Sequence, residues 1–149
     1  MFYKNLNDNN LMFFSETPNE NWVLASENEI LIHQLSQEKI QKTLEVKVAR
    51  QYFQYANIIV DGLEFNSSHF SKILFFSKVN GQEPANYPME WRLADDITWV
   101  FLNETQAIAL YDAMEHQEST AFHQESAFYE AIKKASSIEE VKAIDVKFV

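Results

Sequence analysis

The histidines of a long predicted helix are the residues best suited to hold a metal ion. His116 and His123 lie about two helical turns apart, roughly 10.5 Å along the axis, so both cannot reach one ion. Asp112 and His116 share a helix face, but the pattern supplies no further ligands. His33 and His69 are isolated in the sequence. We therefore predict neither a metal site nor a bound cofactor.

Adjacent acids at residues 95–96 and 139–140 are the next candidates, in this case for general acid–base catalysis. Such catalysis needs carboxylates that face each other across a cleft and differ in pKa. Neighbouring acids instead have simpler structural roles: in a turn they favour the turn conformation, and at the start of a helix they interact favourably with the helix dipole. Gly62 and Gly81, the only glycines, stand too far apart for a nucleophile elbow or a phosphate-binding loop. The sequence thus predicts a protein that is not an enzyme.

The composition indicates a packed and acidic protein. The chain has 149 residues, of which 46% are hydrophobic and 14% aromatic, enough to form a core. Its formal net charge of −10 disfavours nucleic acids and anionic membranes as partners, because both bind basic clusters. Cysteine is absent, which excludes disulfides and thiol chemistry. No apolar run is long enough for a signal peptide or a membrane span, so we expect a cytoplasmic protein.

An N-terminal β-hairpin is indicated by apolar runs at residues 2–6 and 11–14. The Asn-Asp-Asn-Asn sequence between them tolerates left-handed turn conformations and is typical of a hairpin loop. Residues 15–21 are predicted to form a polar connector to the elements that follow.

Two helices are predicted next, and with the hairpin they make up a first region, residues 1–56. Ser26 and Glu29 have the spacing of a capping box, which predicts a short helix reaching Leu35. A longer helix is predicted over residues 37–56. Its apolar side chains recur at four-residue steps and form a stripe: Ile40, Leu44, Val48, Tyr52 and Ala56.

A second hairpin and a helix are predicted between residues 58 and 81. The Asp-Gly pair in the middle of residues 58–65 supplies the positive φ angles of a tight hairpin turn. Either Ser67 or Ser68 is then expected to cap a helix, and Gly81 is expected to end it.

A third hairpin is predicted from residues 89–93 and 97–101, with two possible registers. A two-residue loop opposes Arg92 to Trp99. A three-residue loop opposes Trp91 to Trp99 and places only apolar side chains on one face, so we favour this register. In that arrangement both tryptophans are expected to lie in the core.

The longest predicted helix starts at a capping box formed by Asn103 and Gln106 and extends to Ala135. Its length of roughly 48 Å exceeds the diameter of about 40 Å expected for a compact domain of this size. Residues 115–120 contain no apolar side chain, so the helix is expected to kink, split or protrude there. Ser137 is expected to cap a short terminal helix.

These elements predict an α+β fold of small antiparallel hairpins packed with helices, together with a long C-terminal helix and a short terminal one. Residues 57–149 are predicted to form a second domain containing the long helix. A single continuous domain over the whole chain is the alternative.

The order of several segments resembles a domain of unknown function that is common in tail and tail-fibre assembly proteins of tailed bacteriophages. The segments that carry the resemblance are residues 59–65, 71–73, 91–96, 100–104 and 132–141. The resemblance implies a role in building the host-recognition end of a phage tail, with the tail-fibre protein as partner. It also implies a location in the host cytoplasm, and it leaves open whether the protein then stays in the virion tail.

The first functional hypothesis is accordingly a tail-fibre assembly chaperone, or a fibre-associated tail component, that acts by protein–protein contact. Phe122, Phe128 and Tyr129 on the long helix are the candidate partner-binding residues, because they carry more apolar surface than a solvated helix needs. The alternative is that these rings pack on the protein's own core. Homo-oligomerisation stays open.

A second hypothesis is a small acidic phage inhibitor of a host defence protein, acting as a nucleic-acid mimic or a blocker. The net charge of −10 permits this role. However, the acids are spread along the chain and mixed with Lys and Arg, whereas a mimic concentrates them on one face.

Overall fold

The computed structural model describes residues 1–14, 16 and 18–149, and it confirms the α+β fold of small antiparallel hairpins and helices. The elements are β1 (Phe2–Asn5), β2 (Leu11–Phe13), β3 (Trp22–Leu24), α1 (Glu27–Gln54), β4 (Ile58–Val60), β5 (Leu63–Phe65), α2 (His69–Asn80), a 3-10 turn (Pro84–Asn86), β6 (Met89–Arg92), β7 (Trp99–Leu102), α3 (Glu104–Lys134) and α4 (Ile138–Lys142).

The chain divides into two compact units whose boundaries fall inside α1 and α3. The first unit comprises Met1–Glu45 and Tyr129–Asp145, and the second comprises Val46–Phe128 and Val146–Val149. No helix within the described parts of the chain combines the length and the apolar character needed to cross a membrane.

The first unit contains a three-stranded sheet in the order β2-β1-β3. The predicted hairpin is confirmed, with Tyr3 opposite Met12. Strand β3 was not predicted, because three residues are too few to show a strand periodicity and their pairing with β1 is not local. Of the predicted polar connector, Ser15 and Thr17 lie outside the described residues.

The capping box at the start of α1 is confirmed. Glu29 N–H donates to Ser26 Oγ over 3.3 Å, and Ser26 N–H donates to Glu29 Oε2 over 3.0 Å. The predicted break near Leu35 is wrong, since α1 is one helix from Glu27 to Gln54. Ser36 alone does not end a helix, because a serine in a helix interior costs little compared with Gly or Pro.

Glu29 also makes the stability of the first unit depend on pH. Hydrogen bonds from Lys4 and Ser26 lower the pKa of Glu29 from 4.5 to about 2. A carboxyl group whose pKa is lower in the folded state than in the unfolded chain stabilises the fold at pH values above its ordinary pKa. This contribution is lost as the pH falls toward the pKa of the folded state. We expect Glu29→Gln to be less stable than wild type at neutral pH. The difference in the free energy of unfolding should shrink as the pH falls from 4.5 to about 2.

Denaturant unfolding of both proteins at a series of pH values measures this difference. Glu27→Gln, which changes an exposed acid in the same helical turn, is the matched control. A stability difference for Glu29→Gln that stays constant over the acid range would contradict the assignment.

The core of the second unit is formed by strands β4 to β7, α2 and the first half of α3. Its buried members are Phe65, Phe75, Met89, Leu102, Ala107, Leu110 and Met114. The Asp-Gly hairpin is confirmed, with φ angles of 51° at Asp61 and 77° at Gly62. Ser68 is the residue that caps α2, its hydroxyl accepting from Ser71 N–H over 3.3 Å.

The favoured register of the third hairpin is wrong, and the alternative register holds. Arg92 lies opposite Trp99, and Trp91 lies opposite Val100. Asp95 is the reason: its Oδ1 accepts the N–H of Ile97 over 2.9 Å and that of Thr98 over 2.8 Å, which keeps Ile97 in the loop. The two tryptophans therefore point to opposite faces, and Trp99 is exposed.

Of the three alternatives for the long helix, the split is wrong. α3 is helical from Glu104 to Lys134, through the polar stretch at residues 115–120. Its capping box is confirmed, with Gln106 N–H donating to Asn103 Oδ1 over 2.9 Å. Ser137 caps α4 as expected.

Candidate interaction surface

A buried lysine in the second unit binds the C-terminal end of α1. Lys72 is only 2% exposed, and its Nζ donates to the carbonyl oxygen of Gln54 over 2.9 Å. The last carbonyls of a helix have no partner within the helix, and they favour a nearby cation. Because α1 has no basic residue in its last turn, Lys72 of α2 supplies that cation from outside the helix.

Gln117 of α3 completes this arrangement. Its Nε2 donates to the carbonyl oxygens of Phe53 and Ala56 over 3.0 and 2.9 Å, and its Oε1 accepts from Ser67 Oγ over 2.7 Å. The side chain of Ser67 is fully buried. The apolar-free stretch at residues 115–120 is therefore helical because part of it bonds to a polar interior.

The same cluster holds the charged partner of Lys72. Glu118 Oε2 lies 3.8 Å from Lys72 Nζ, and Glu118 Oε1 accepts from the Gln54 amide over 3.1 Å. Burial lowers the pKa of Lys72, and the Glu118 carboxylate opposes that shift. A lysine with a lowered pKa is a potential nucleophile. In this protein its ammonium group is already bonded to a helix end, so the arrangement stabilises the fold.

The other chemical candidates also have local structural roles. Hydrogen bonds from the Thr98 hydroxyl and from backbone N–H groups lower the pKa of Asp95, which closes the hairpin loop. Bonds from Ser136 lower the pKa of Glu140 at the start of α4. His123 Nδ1 lies 2.8 Å from the carbonyl oxygen of Ser119. Within the described residues there is no group of three side chains placed to hold a metal ion.

The three predicted partner-binding residues have different surroundings. Phe122 is about half exposed, and the Arg50 guanidinium lies 5.0 Å from its ring centroid. Phe128 packs against Phe148 with ring centroids 5.3 Å apart. Tyr129 is half-buried and belongs to the first unit. A partner-binding role for them stays a prediction.

An open apolar groove lies between α2 and the β6–β7 hairpin of the second unit. It has a volume of ≈ 200 Å³ and is lined by Asn66, Phe70, Ser71, Leu74, Trp91, Arg92, Leu93, Asp96 and Trp99. Phe70 is 70% exposed and Trp99 56% exposed. The Arg92–Asp96 ion pair, 3.2 Å long, adds a polar margin. Apolar walls with a few polar groups suit the side chains of a protein partner.

Sequence reasoning missed this groove. The apolar residues of α2 were visible, but the pattern did not tell which of them face the core. Phe75 is buried, whereas Phe70 and Leu74 are exposed. The groove also needs Trp99 on the outer face of its hairpin, which follows from the register that we did not favour.

The model of a protein family described as a domain of unknown function, DUF4376, matches residues 37–147, well over half of the chain. The chain belongs to this family. The DUF4376 segment contains the groove and the polar cluster around Lys72, and the three-stranded sheet lies before it in the sequence. No curated protein and no solved structure shows significant similarity to the chain.

Proposed function

We propose that this DUF4376 protein is a non-enzymatic phage tail protein that assists tail-fibre assembly by direct contact. It acts as a chaperone of the fibre or stays on it as a tail component, in the host cytoplasm or the virion tail. The resemblance of residues 59–65 and 91–96 to phage tail proteins supports this role, and the family description leaves it open.

The exposed groove is the observation that carries the proposal. Soluble monomers seldom expose clustered large apolar side chains unless these bind something. Fibres expose unpaired strand edges and apolar side chains while they fold, and a helper protein that covers them limits aggregation. Phe70, Leu74 and Trp99 offer apolar surface of the kind that would receive such side chains.

Charge favours a neutral or basic fibre segment, since the chain carries a formal net charge of −10. The alternative role, an acidic mimic of nucleic acid, has less support. Several of the acids are paired with Lys or Arg of the same unit, among them Glu29, Glu118 and Glu125. Paired acids contribute little to a continuous negative stripe.

Co-expression with a phage tail-fibre protein tests the function. We expect a larger soluble fraction of the fibre protein when both chains are made together, and recovery of the two as a complex. Equal fibre solubility with and without this protein would count against the proposal.

Leu74→Ser is expected to weaken fibre binding roughly ten-fold, because burial of a leucine side chain contributes about 1.5–3 kcal/mol and Leu74 is already half-buried. Ile73→Ser is the matched control: Ile73 is similarly exposed on the same helix but does not line the groove. Titration of the purified fibre with each variant measures the affinity. Equal losses for both variants would show that the groove is not the binding site.

A further inference from the structure

The outer edge of β7 carries backbone groups that point away from its own hairpin. Leu93 N–H donates to the carbonyl oxygen of Thr98 over 2.8 Å. Hydrogen-bonded and non-bonded pairs alternate along antiparallel strands, so Trp91 and Val100 form the next bonded pair. The N–H and C=O groups of Trp99 and Phe101 therefore point outward.

The two edges of this hairpin differ. On the β6 side, Ala94 N–H donates to the carbonyl oxygen of Glu64 over 2.9 Å, and Lys78 Nζ donates to that of Glu90 over 2.8 Å. On the β7 side, no described residue bonds to the outward groups of Trp99 and Phe101. Phe101 is 67% exposed. An edge strand with exposed aromatic side chains and free backbone groups is a template for another strand.

We propose that β7 pairs in antiparallel fashion with β7 of a second copy of this chain, across a two-fold axis at Val100. Trp99 of each copy then lies opposite Phe101 of the other, and each of these pairs exchanges two backbone hydrogen bonds. A two-fold interface uses the same surface on both chains, which this edge provides. Such a dimer does not depend on the proposed function, but it shares Trp99 with the groove.

Only one symmetric register uses every free group of the edge. The next outward residue on one side is Ile97, whose N–H already donates to the Asp95 carboxylate over 2.9 Å. On the other side it is Asn103, whose N–H donates to Gln106 Oε1 over 3.1 Å and whose carbonyl oxygen accepts a bond from α3. A shifted pairing would lose one of the two bonded pairs, and the residue that it brings in could not exchange both of its bonds.

The side chains on the solvent-facing side of the joined sheet also fit each other. Glu90 lies beside Phe101, and Arg92 lies beside Trp99. Two rows of side chains run across the four joined strands. In each row the order is Glu90 and Phe101 of one copy, followed by Trp99 and Arg92 of the other copy. Four aromatic side chains meet at the centre, and two Glu and two Arg lie at the margins, where each Arg92 is also paired with Asp96 of its own chain. The residues that meet at the axis, Trp99, Val100 and Phe101, carry no charge, so like charges do not oppose each other there.

Phe101→Pro tests the pairing with a small change, because it removes an outward N–H that the hairpin does not use. Proline is tolerated on edge strands in this orientation. In sedimentation equilibrium over a wide concentration range, we expect the wild-type chain to dimerise and Phe101→Pro to stay monomeric with an unchanged circular dichroism spectrum. Ile59→Pro, which alters the 72% exposed outward residue of β4, is the control and should still dimerise.

Disulfide trapping tests the register even if Phe101→Pro fails to fold. The chain has no cysteine, so introduced thiols are the only ones present. Opposite residues in a bonded pair have Cα atoms about 5.5 Å apart, within disulfide range. The double variant Trp99→Cys/Phe101→Cys should form a covalent dimer on mild oxidation, whereas Phe101→Cys alone should not. A monomeric wild type, a folded Phe101→Pro dimer, or equal trapping of both cysteine variants would overturn the proposal.

Discussion

Phe75→Ala is expected to lower the free energy of unfolding by about 3–5 kcal/mol, the range typical for removing a buried phenylalanine side chain. Phe75 is fully buried in the core of the second unit, and its ring packs edge-on against Trp91 with centroids 4.9 Å apart. The substitution leaves a cavity that the surrounding strands and helices fill only in part. Urea unfolding followed by circular dichroism measures the change.

Phe70→Ala is the matched control for this prediction, because Phe70 is a phenylalanine of the same helix that is largely exposed. Its effect on the free energy of unfolding should stay within about 0.5 kcal/mol. The two phenylalanines thus separate stability from binding: Phe75 supports the fold, and Phe70 is available to a partner. Similar destabilisation by both substitutions would contradict this division.

Glu118→Gln is expected to lower the free energy of unfolding by about 1–3 kcal/mol at neutral pH, since it leaves the Lys72 ammonium buried without a counter-charge. The loss should be smaller than for a fully buried pair, because about a third of the Glu118 side chain is exposed and solvent screens its charge. Denaturant unfolding of the wild type and the variant gives the difference.

Adding Lys72→Met to Glu118→Gln should recover part of that loss. The methionine removes the uncompensated cation while filling a similar volume, although the Gln54 carbonyl oxygen loses its donor. A double variant as unstable as the sum of the two single variants would show that the charges are not coupled.

Because Lys72 is buried, we also expect the free energy of unfolding to rise with increasing pH. Burial lowers its pKa below the ordinary 10.5, so the folded state binds fewer protons than the unfolded state between the two values. The free energy of unfolding should therefore increase as the pH rises toward 10.5, and Lys72→Met should remove this contribution. An identical alkaline pH dependence for both proteins would show that Lys72 is not its source.

Much of the local structure could be predicted because its causes lie within a few residues. The capping boxes at Ser26 and Asn103 need only a side chain and an amide three positions away. The turn at Asp61 and Gly62 needs only positive φ angles. None of these features depends on what the chain packs against.

The candidate interaction surface could not be predicted, because exposure depends on long-range packing. The predicted stripe of α1 shows this: Ile40, Leu44 and Tyr52 are exposed, and the buried side chains of that helix are Val46 and Gln54. A buried glutamine is acceptable because its polar groups are bonded: Arg50 of α1 donates to its Oε1, Glu118 of α3 accepts from its amide, and Lys72 of α2 donates to its carbonyl oxygen. Hydrophobicity along one helix carries no information about those partners.

The amino-acid sequence by itself determined the fold class, the helix caps and the Asp61-Gly62 turn of this protein, since side-chain type and short-range spacing decide them. Only the tertiary structure decided which apolar residues remain outside, which edge of the β6–β7 hairpin is free, and where the polar stretch of α3 finds its partners. The physical reason is that burial and hydrogen-bond satisfaction are properties of contacts between distant segments. The register of β6 and β7 is the exception, because its cause is local: a shift of one residue there changes which side chains face the core, and the two N–H groups that donate to Asp95 Oδ1 set it.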